Sequence, residues 1–166
     1  PGALAAVQWL IVADMDKSVG TVTYTQLCNE RGGIECDLTM IRTAPDSWYV
    51  VTGAAFGAHD MGWIRANSPD DGSVVIRDLT SARAVINLCG PKSRDVLQAV
   101  CEEDVSNAAF KYARAKEITI GSAAVMTQPT SVTVTGDTDP IASSMKRSTA
   151  SGTGTARIAL TKGTGG

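Results

Sequence analysis

The chain has 166 residues, 43% of them hydrophobic and 19% charged, with a net charge of −2. This is enough chain for one globular domain, and without a sustained basic stripe nucleic acid is not expected as a partner, because phosphate binding needs clustered Lys and Arg. No apolar run approaches the roughly 20 residues of a membrane-crossing helix, and no basic n-region precedes one, so neither a membrane partner nor a signal peptide is expected.

Leu4, Val7, Leu10 and Ile11 recur at helical spacing, which predicts an amphipathic helix over the first dozen residues. Val19 to Cys28 is rich in Val, Thr and Tyr and reads as a strand. Asn29-Glu-Arg-Gly-Gly follows, a composition suited to a tight reversal with positive φ. From Ile34 to Ile41 apolar and polar residues alternate, with Ile34, Cys36, Leu38 and Met40 on one face and Glu35, Asp37 and Thr39 on the other. A period of two marks a half-buried strand, and the pair reads as an antiparallel hairpin. Trp48 to Thr52 is a third strand, and Ala54 to Ala66 a helix with Phe56, Trp63 and Ile64 on its buried side. Ser73 to Arg77 and Ala82 to Cys89 read as strands. Gly90-Pro91 opens a helix with Val96, Leu97 and Val100 inward, and Lys116 to Val125 holds one or two strands around Gly121-Ser122. The order β-β-β-α-β-β-α-β is that of an α+β fold with an antiparallel sheet and packed helices.

Beyond Met126 the chain changes character. From Thr127 onward there is no Trp, Tyr, Phe or Cys, and Thr, Ser and Gly make up about half of the residues. Such a composition buries little, so residues 126–166 are expected to form a divergent or flexible tail to a domain at 1–125, with Val132 and Val134 as the one candidate strand. The four cysteines (Cys28, Cys36, Cys89, Cys101) form no C-x-x-C pair, and their spacing with the lone His59 gives no zinc pattern; no metal is expected. Cys36 and Cys89 sit in apolar alternation, where Cys acts as a small hydrophobe.

The run Gly20-Thr-Val-Thr-Tyr-Thr-Gln-Leu-Cys-Asn-Glu-Arg-Gly-Gly-Ile-Glu-Cys-Asp-Leu-Thr resembles the central signature of the glycine-cleavage T-protein (aminomethyltransferase) superfamily. Its Asn-Glu-Arg-Gly-Gly-Ile-Glu-x-Asp-Leu-Thr variant is most similar to the folate-binding C-terminal region of dimethylglycine and sarcosine dehydrogenases. Val51-Thr-Gly-Ala-Ala-Phe-Gly-Ala-His-Asp-Met-Gly-Trp-Ile and Asn87-Leu-Cys-Gly-Pro-Lys-Ser-Arg-Asp-Val-Leu resemble that branch's flanking segments. The resemblance implies a ferredoxin-like core, here incomplete, that holds tetrahydrofolate. It also implies capture of a one-carbon unit from an N-methyl amine donor as methylenetetrahydrofolate. In the dehydrogenase branch a flavin domain first oxidises the amine; no Gly-x-Gly-x-x-Gly fingerprint is present here. The partners implied are folate, a methylamine-derived donor, and a flavin dehydrogenase domain or subunit. The compartment implied is cytoplasmic, with the mitochondrial matrix as the alternative.

Asp37 is the leading catalytic candidate. Asp is a poor strand residue, yet it occupies a strand whose other face is apolar, so its carboxylate must meet water or a pocket. The resemblance makes it the carboxylate beside the folate ring nitrogens, and a carboxylate within hydrogen-bond reach can accept the proton of an attacking nitrogen. By the same resemblance Tyr24 lines the folate pocket from the preceding strand, and Thr52 and Gly53 line it at the end of the third; the T-protein usually has Asn where Gly53 stands. Asn29 and Gly32-Gly33 read as the turn that aims Asp37, and His59 as a surface or partly packed residue. Downstream the family carries a Tyr-x-Gly-Glu-x-Gly motif whose acid clamps the pterin amino groups. Here the chain reads Val134-Thr-Gly-Asp-Thr-Asp, with Asp137 as the candidate substitute. A second expectation is a non-catalytic regulatory or truncated module, since the regulatory subunit of pyruvate dehydrogenase phosphatase resembles the same superfamily.

Overall fold

The computed structural model describes residues 2–129, 132–136 and 155–162. In chain order its elements are α1 (Ala3–Leu10), β1 (Val22–Cys28), β2 (Ile34–Ala44), β3 (Ser47–Gly53), α2 (Gly57–Ala66), β4 (Val74–Asp78) and β5 (Ala84–Leu88). Then come α3 (Ser93–Gln98), β6 (Lys116–Ile120), β7 (Ala123–Pro129), β8 (Val132–Gly136) and β9 (Thr155–Lys162). They divide between two compact units, Pro1–Thr80 with Gly154–Gly166, and Ser81–Thr153. Both units are built on antiparallel sheets with few helices, which agrees with the α+β expectation at that level.

The first unit is a five-stranded sheet in the order β1-β2-β3-β9-β4. β1 and β2 form the hairpin read from the sequence, with Thr23 opposite Met40, Thr25 opposite Leu38 and Leu27 opposite Cys36. Because side chains alternate across a strand, this register sends all six to one face, where all are buried. α1 and α2 cover that face. Ala3, Val7 and Leu10 from α1 and Met61 and Ile64 from α2 pack with Leu38, Met40, Trp48 and Val50 in one cluster. α1 buries residues at the i, i+3/4, i+7 positions of a helix and stops where Ile11 turns extended, at φ −117° and ψ 136°. Trp48 is fully buried, with the Arg42 guanidinium 5.2 Å from its ring centroid. Burial of an aromatic of this size is worth about 3–5 kcal/mol against Ala.

The second unit is a four-stranded sheet in the order β5-β8-β7-β6. Its core holds Leu88, Leu97, Phe110, Ile118, Ile120 and Val125. Arg94 fixes the loop beside it, donating to the carbonyls of Val105 and Phe110 while its guanidinium lies 5.9 Å from the Phe110 ring centroid.

Several sequence expectations change. The helix expected from Ala54 starts instead as a 3₁₀ turn at Ala54–Phe56, and Phe56 is exposed, because it precedes the first residue of α2 rather than lying on its buried side. Val96 is exposed as well: α3 has only six residues, and Leu97 is the one it buries. Cys89 is exposed because β5 ends at Leu88, which takes the inward position. The stretch beyond residue 125 supplies the end of β7, all of β8, which includes Val132 and Val134, and β9. Asp137 lies outside the described residues.

Candidate functional site

Asp37 lies on β2 between the buried Cys36 and Leu38, so alternation turns its carboxylate to the opposite, exposed face of the hairpin. Across the hairpin Gln26 pairs with Asp37 and Tyr24 with Thr39, so Tyr24 and Asp37 are diagonal neighbours on one face. The Tyr24 hydroxyl donates to Asp37 Oδ2 at 2.7 Å. This bond, together with the adjacent negative charge, raises the Tyr24 phenol above its ordinary value. The phenol therefore keeps its proton and remains a donor, which orients the carboxylate and leaves Oδ1 as the acceptor for another group.

The turn that joins β1 to β2 is organised by Asn29. Its Oδ1 accepts from the backbone N–H of Arg31 at 3.0 Å and of Gly33 at 2.9 Å, an Asx-type closure. Its own N–H donates to the Gly33 carbonyl at 2.8 Å, and Gly32 takes the left-handed φ of +79° that only Gly adopts without strain. Nδ2 donates to Glu35 Oε1 at 2.7 Å, tying the turn to the start of β2. A register shift between Leu27 and Cys28 accommodates the turn.

Thr52 does not join Asp37. It lies on the core face of β3, where its hydroxyl donates to Asp60 Oδ2 at 2.5 Å, and both residues are buried. Gly53 is exposed at the end of the strand, and a Cβ there would lie 3.3 Å from the Phe56 ring, so the missing side chain lets the 3₁₀ turn close. Of the four residues named from the sequence, the structure thus brings two together on one face, Tyr24 and Asp37, and gives Thr52 a separate buried partner.

A cluster that spacing did not signal forms on the core side. His59 Nδ1 lies 3.1 Å from Asp60 Oδ1, and Cys36 comes close enough that one ligand atom from each of the three falls within 4.8 Å of the others. Burial pushes the Cys36 thiol up to about 12, with the Asp60 carboxylate adding to the effect. His59 Nε2, on the far side of the ring, is 3.9 Å from Glu35 Oε2. Cys36 is 23 positions from His59 and 24 from Asp60, and it meets that adjacent pair only because α2 folds back over β2, so no local motif marks the cluster.

Cavities among the described residues lie apart from Asp37. The first, of about 510 Å³, is lined by Trp9, Trp63, Asn29, Glu30, Arg31 and Asn67 among others. A second, of about 470 Å³, lies beside it along Trp9 and Asn67, and a third, of about 300 Å³, sits in the second unit by Lys111 and Lys116. Asp37 lines none of the three. Among the described residues, the helices of the first unit pack on the core face instead, so the hollow expected at Asp37 is absent from these cavities.

Residues 1–137 match the family described as the GCVT N-terminal domain. The chain belongs to this family. Its GCVT N-terminal domain match agrees with the T-protein superfamily resemblance read from the hairpin. Human mitochondrial sarcosine dehydrogenase is 34% identical over 128 residues, 69% of this chain and 14% of that protein. The aminomethyltransferase of Thermotoga maritima is 31% identical over 122 residues, covering 73% of this chain and 33% of the enzyme. The mouse mitochondrial pyruvate dehydrogenase phosphatase regulatory subunit is 29% identical over 121 residues, 73% of this chain and 14% of that protein. The chain therefore matches only a minor part of each relative's length. No helix among the described residues is long and apolar enough to cross a membrane.

Proposed function

We propose that this GCVT N-terminal domain chain takes part in tetrahydrofolate-dependent capture of a one-carbon unit from an N-methyl amine donor, with Asp37 as proton acceptor. The observation that carries the reading is the 2.7 Å hydrogen bond from Tyr24 to Asp37, at the position where the family resemblance implies the catalytic carboxylate. Tetrahydrofolate is the substrate whose ring nitrogens receive the carbon. Asp37 supplies the base: Tyr24 holds Oδ2, and Oδ1 accepts the proton released when a nitrogen attacks. A positioned base of this kind is worth on the order of 10²–10⁴-fold in rate. The carboxylate and phenol suit the N–H groups of a pterin; Gly53 and Thr52 are proposed as further contacts, Thr52 requiring release from Asp60.

We read the folate-binding part as residues 1–125, and strands β1 to β4 with α1 and α2 on one face as the ferredoxin-like centre of the T-protein fold. A flavin dehydrogenase domain or subunit is the proposed source of the oxidised amine, supported by the likeness to sarcosine dehydrogenase. The proposed compartment is the cytoplasm, with the mitochondrial matrix as the alternative supported by relatives whose names place them in mitochondria.

Calorimetric titration with tetrahydrofolate tests the reading, followed by methylenetetrahydrofolate formation from an iminium donor. Asp37→Asn keeps the size of the side chain but cannot accept the proton. Turnover should fall by about 10²-fold or more while folate affinity changes little. Absence of binding at millimolar folate overturns the enzyme reading. It would favour the alternative of a non-catalytic regulatory or truncated module, for which the open setting of Asp37 and the likeness to the phosphatase regulatory subunit speak.

A further inference from the structure

We propose that Cys36, His59 and Asp60 form a binding site for one divalent metal ion of the zinc class, on the core face of the sheet opposite Asp37. Their ligand atoms lie within 4.8 Å of one another. Tetrahedral zinc with bonds of about 2.0–2.3 Å needs its ligand atoms roughly 3.3–3.8 Å apart, so a small contraction around the ion closes the site. The Nδ1–Oδ1 separation of 3.1 Å is a few tenths of an ångström below that range, so this pair opens slightly as the ion enters between them.

Charge supplies the independent reason. Asp60 is buried; Thr52 donates to its Oδ2, and among the described residues its one ion-pair partner is His59, on Oδ1. A buried carboxylate is expected to be paired with a cation or to coordinate a metal. On binding, the Cys36 thiol gives its proton to solvent and ligates as thiolate. The dication, one thiolate, one carboxylate and a neutral imidazole then sum to zero charge in the buried site. Thiolate with imidazole selects zinc-class ions over magnesium or calcium, which take oxygen ligands. His59 Nδ1 faces Asp60 and the site, while Nε2 faces Glu35, itself held by Asn29 at 2.7 Å. At 3.9 Å the Glu35 carboxylate is an ion-pair neighbour of Nε2, and a closure of about 1 Å makes it the outer carboxylate that orients a ligating histidine. The fourth position, on the half-exposed side of His59, is left to water.

Equilibrium dialysis of the whole chain against Zn²⁺, and replacement by Co²⁺ read by absorbance, test the proposal. One ion per chain is expected, with a thiolate-to-Co²⁺ charge-transfer band that Cys36→Ser abolishes. His59→Ala should weaken Zn²⁺ binding by more than about 10-fold and Glu35→Gln by about 10-fold, the range for outer-sphere partners, while Cys89→Ser leaves it unchanged. Because His59 is half exposed, its variant keeps the fold and carries the test even if Cys36→Ser unfolds. No bound Zn²⁺, a Co²⁺ spectrum without the thiolate band, or equal affinity in parent and His59→Ala overturns the site.

Discussion

The Thr52 hydroxyl donates to Asp60 Oδ2 across the interface between β3 and α2, and both side chains are buried there. The bond anchors the first turn of α2, where the carboxylate also sits favourably at the positive end of the helix. Thr52→Val keeps the shape and removes the donor, leaving a buried charge short of a partner. The expected loss is about 1.5–3 kcal/mol in urea denaturation, the usual range for a hydrogen bond to a charged group. Thr52→Ser should recover most of it. A Thr52→Val protein as stable as the parent would mean that the hydroxyl is dispensable.

Two glycines should respond with opposite sign. A Cβ on Gly33 would lie 2.9 Å from Asn29 Nδ2, so Gly33→Ala displaces the side chain that closes the turn and should destabilise by about 1–3 kcal/mol. Gly62 lies inside α2 with open space around it, and Gly62→Ala should stabilise by about 0.5–1 kcal/mol. Thermal melts of the two variants check both signs at once.

Tyr24 should ionise above its ordinary value because its proton is shared with Asp37. A phenol raised in the folded state adds stability that is present below the unfolded value and is lost as pH rises through the folded one, so the effect belongs to alkaline pH, above 10.0. Ultraviolet titration of the parent against Asp37→Asn isolates it. The variant should bring one tyrosine back toward the ordinary value; superimposable curves would show that the contact is not held in solution.

The cysteines should react in an order set by exposure. At pH 8, with a chelator present, an alkylating reagent should modify the exposed Cys89 first and the buried Cys36 last, since Cys36 holds its proton up to about 12. Mass spectrometry of partially labelled chains reads the order, and equal rates at the two sites would contradict the burial of Cys36.

The hairpin was legible because its signals are local. Alternation from Cys36 to Met40 states which face is buried, and Asn29 with Gly32 states the turn, so the register that sets Tyr24 beside Asp37 follows from neighbouring residues; Ile34, expected on the apolar face, is exposed where β2 leaves the turn. Thr52 stands apart from Tyr24 and Asp37 because strand parity at the end of β3 sends it inward, toward a carboxylate on a different element. The Cys36, His59 and Asp60 cluster depends on how α2 crosses the sheet, which no short window of sequence encodes. β9 was hidden by composition. Its Ala156, Ile158 and Leu160 alternate with Arg157, Ala159 and Thr161, a period of two inside a stretch whose Thr, Ser and Gly content reads as linker.

β9 pairs with β3 on one side and β4 on the other, bridging strands laid down more than 75 positions earlier. During synthesis, β3 and β4 each present a row of unpaired amides and carbonyls until residues 155–162 emerge. The first sheet therefore closes last, after the whole second unit has been made, and loop closure over so long a span slows that step. A chain shortened before residue 155 would keep its hairpin yet carry two open strand edges, so its failure should show as aggregation rather than as loss of the β1–β2 pairing.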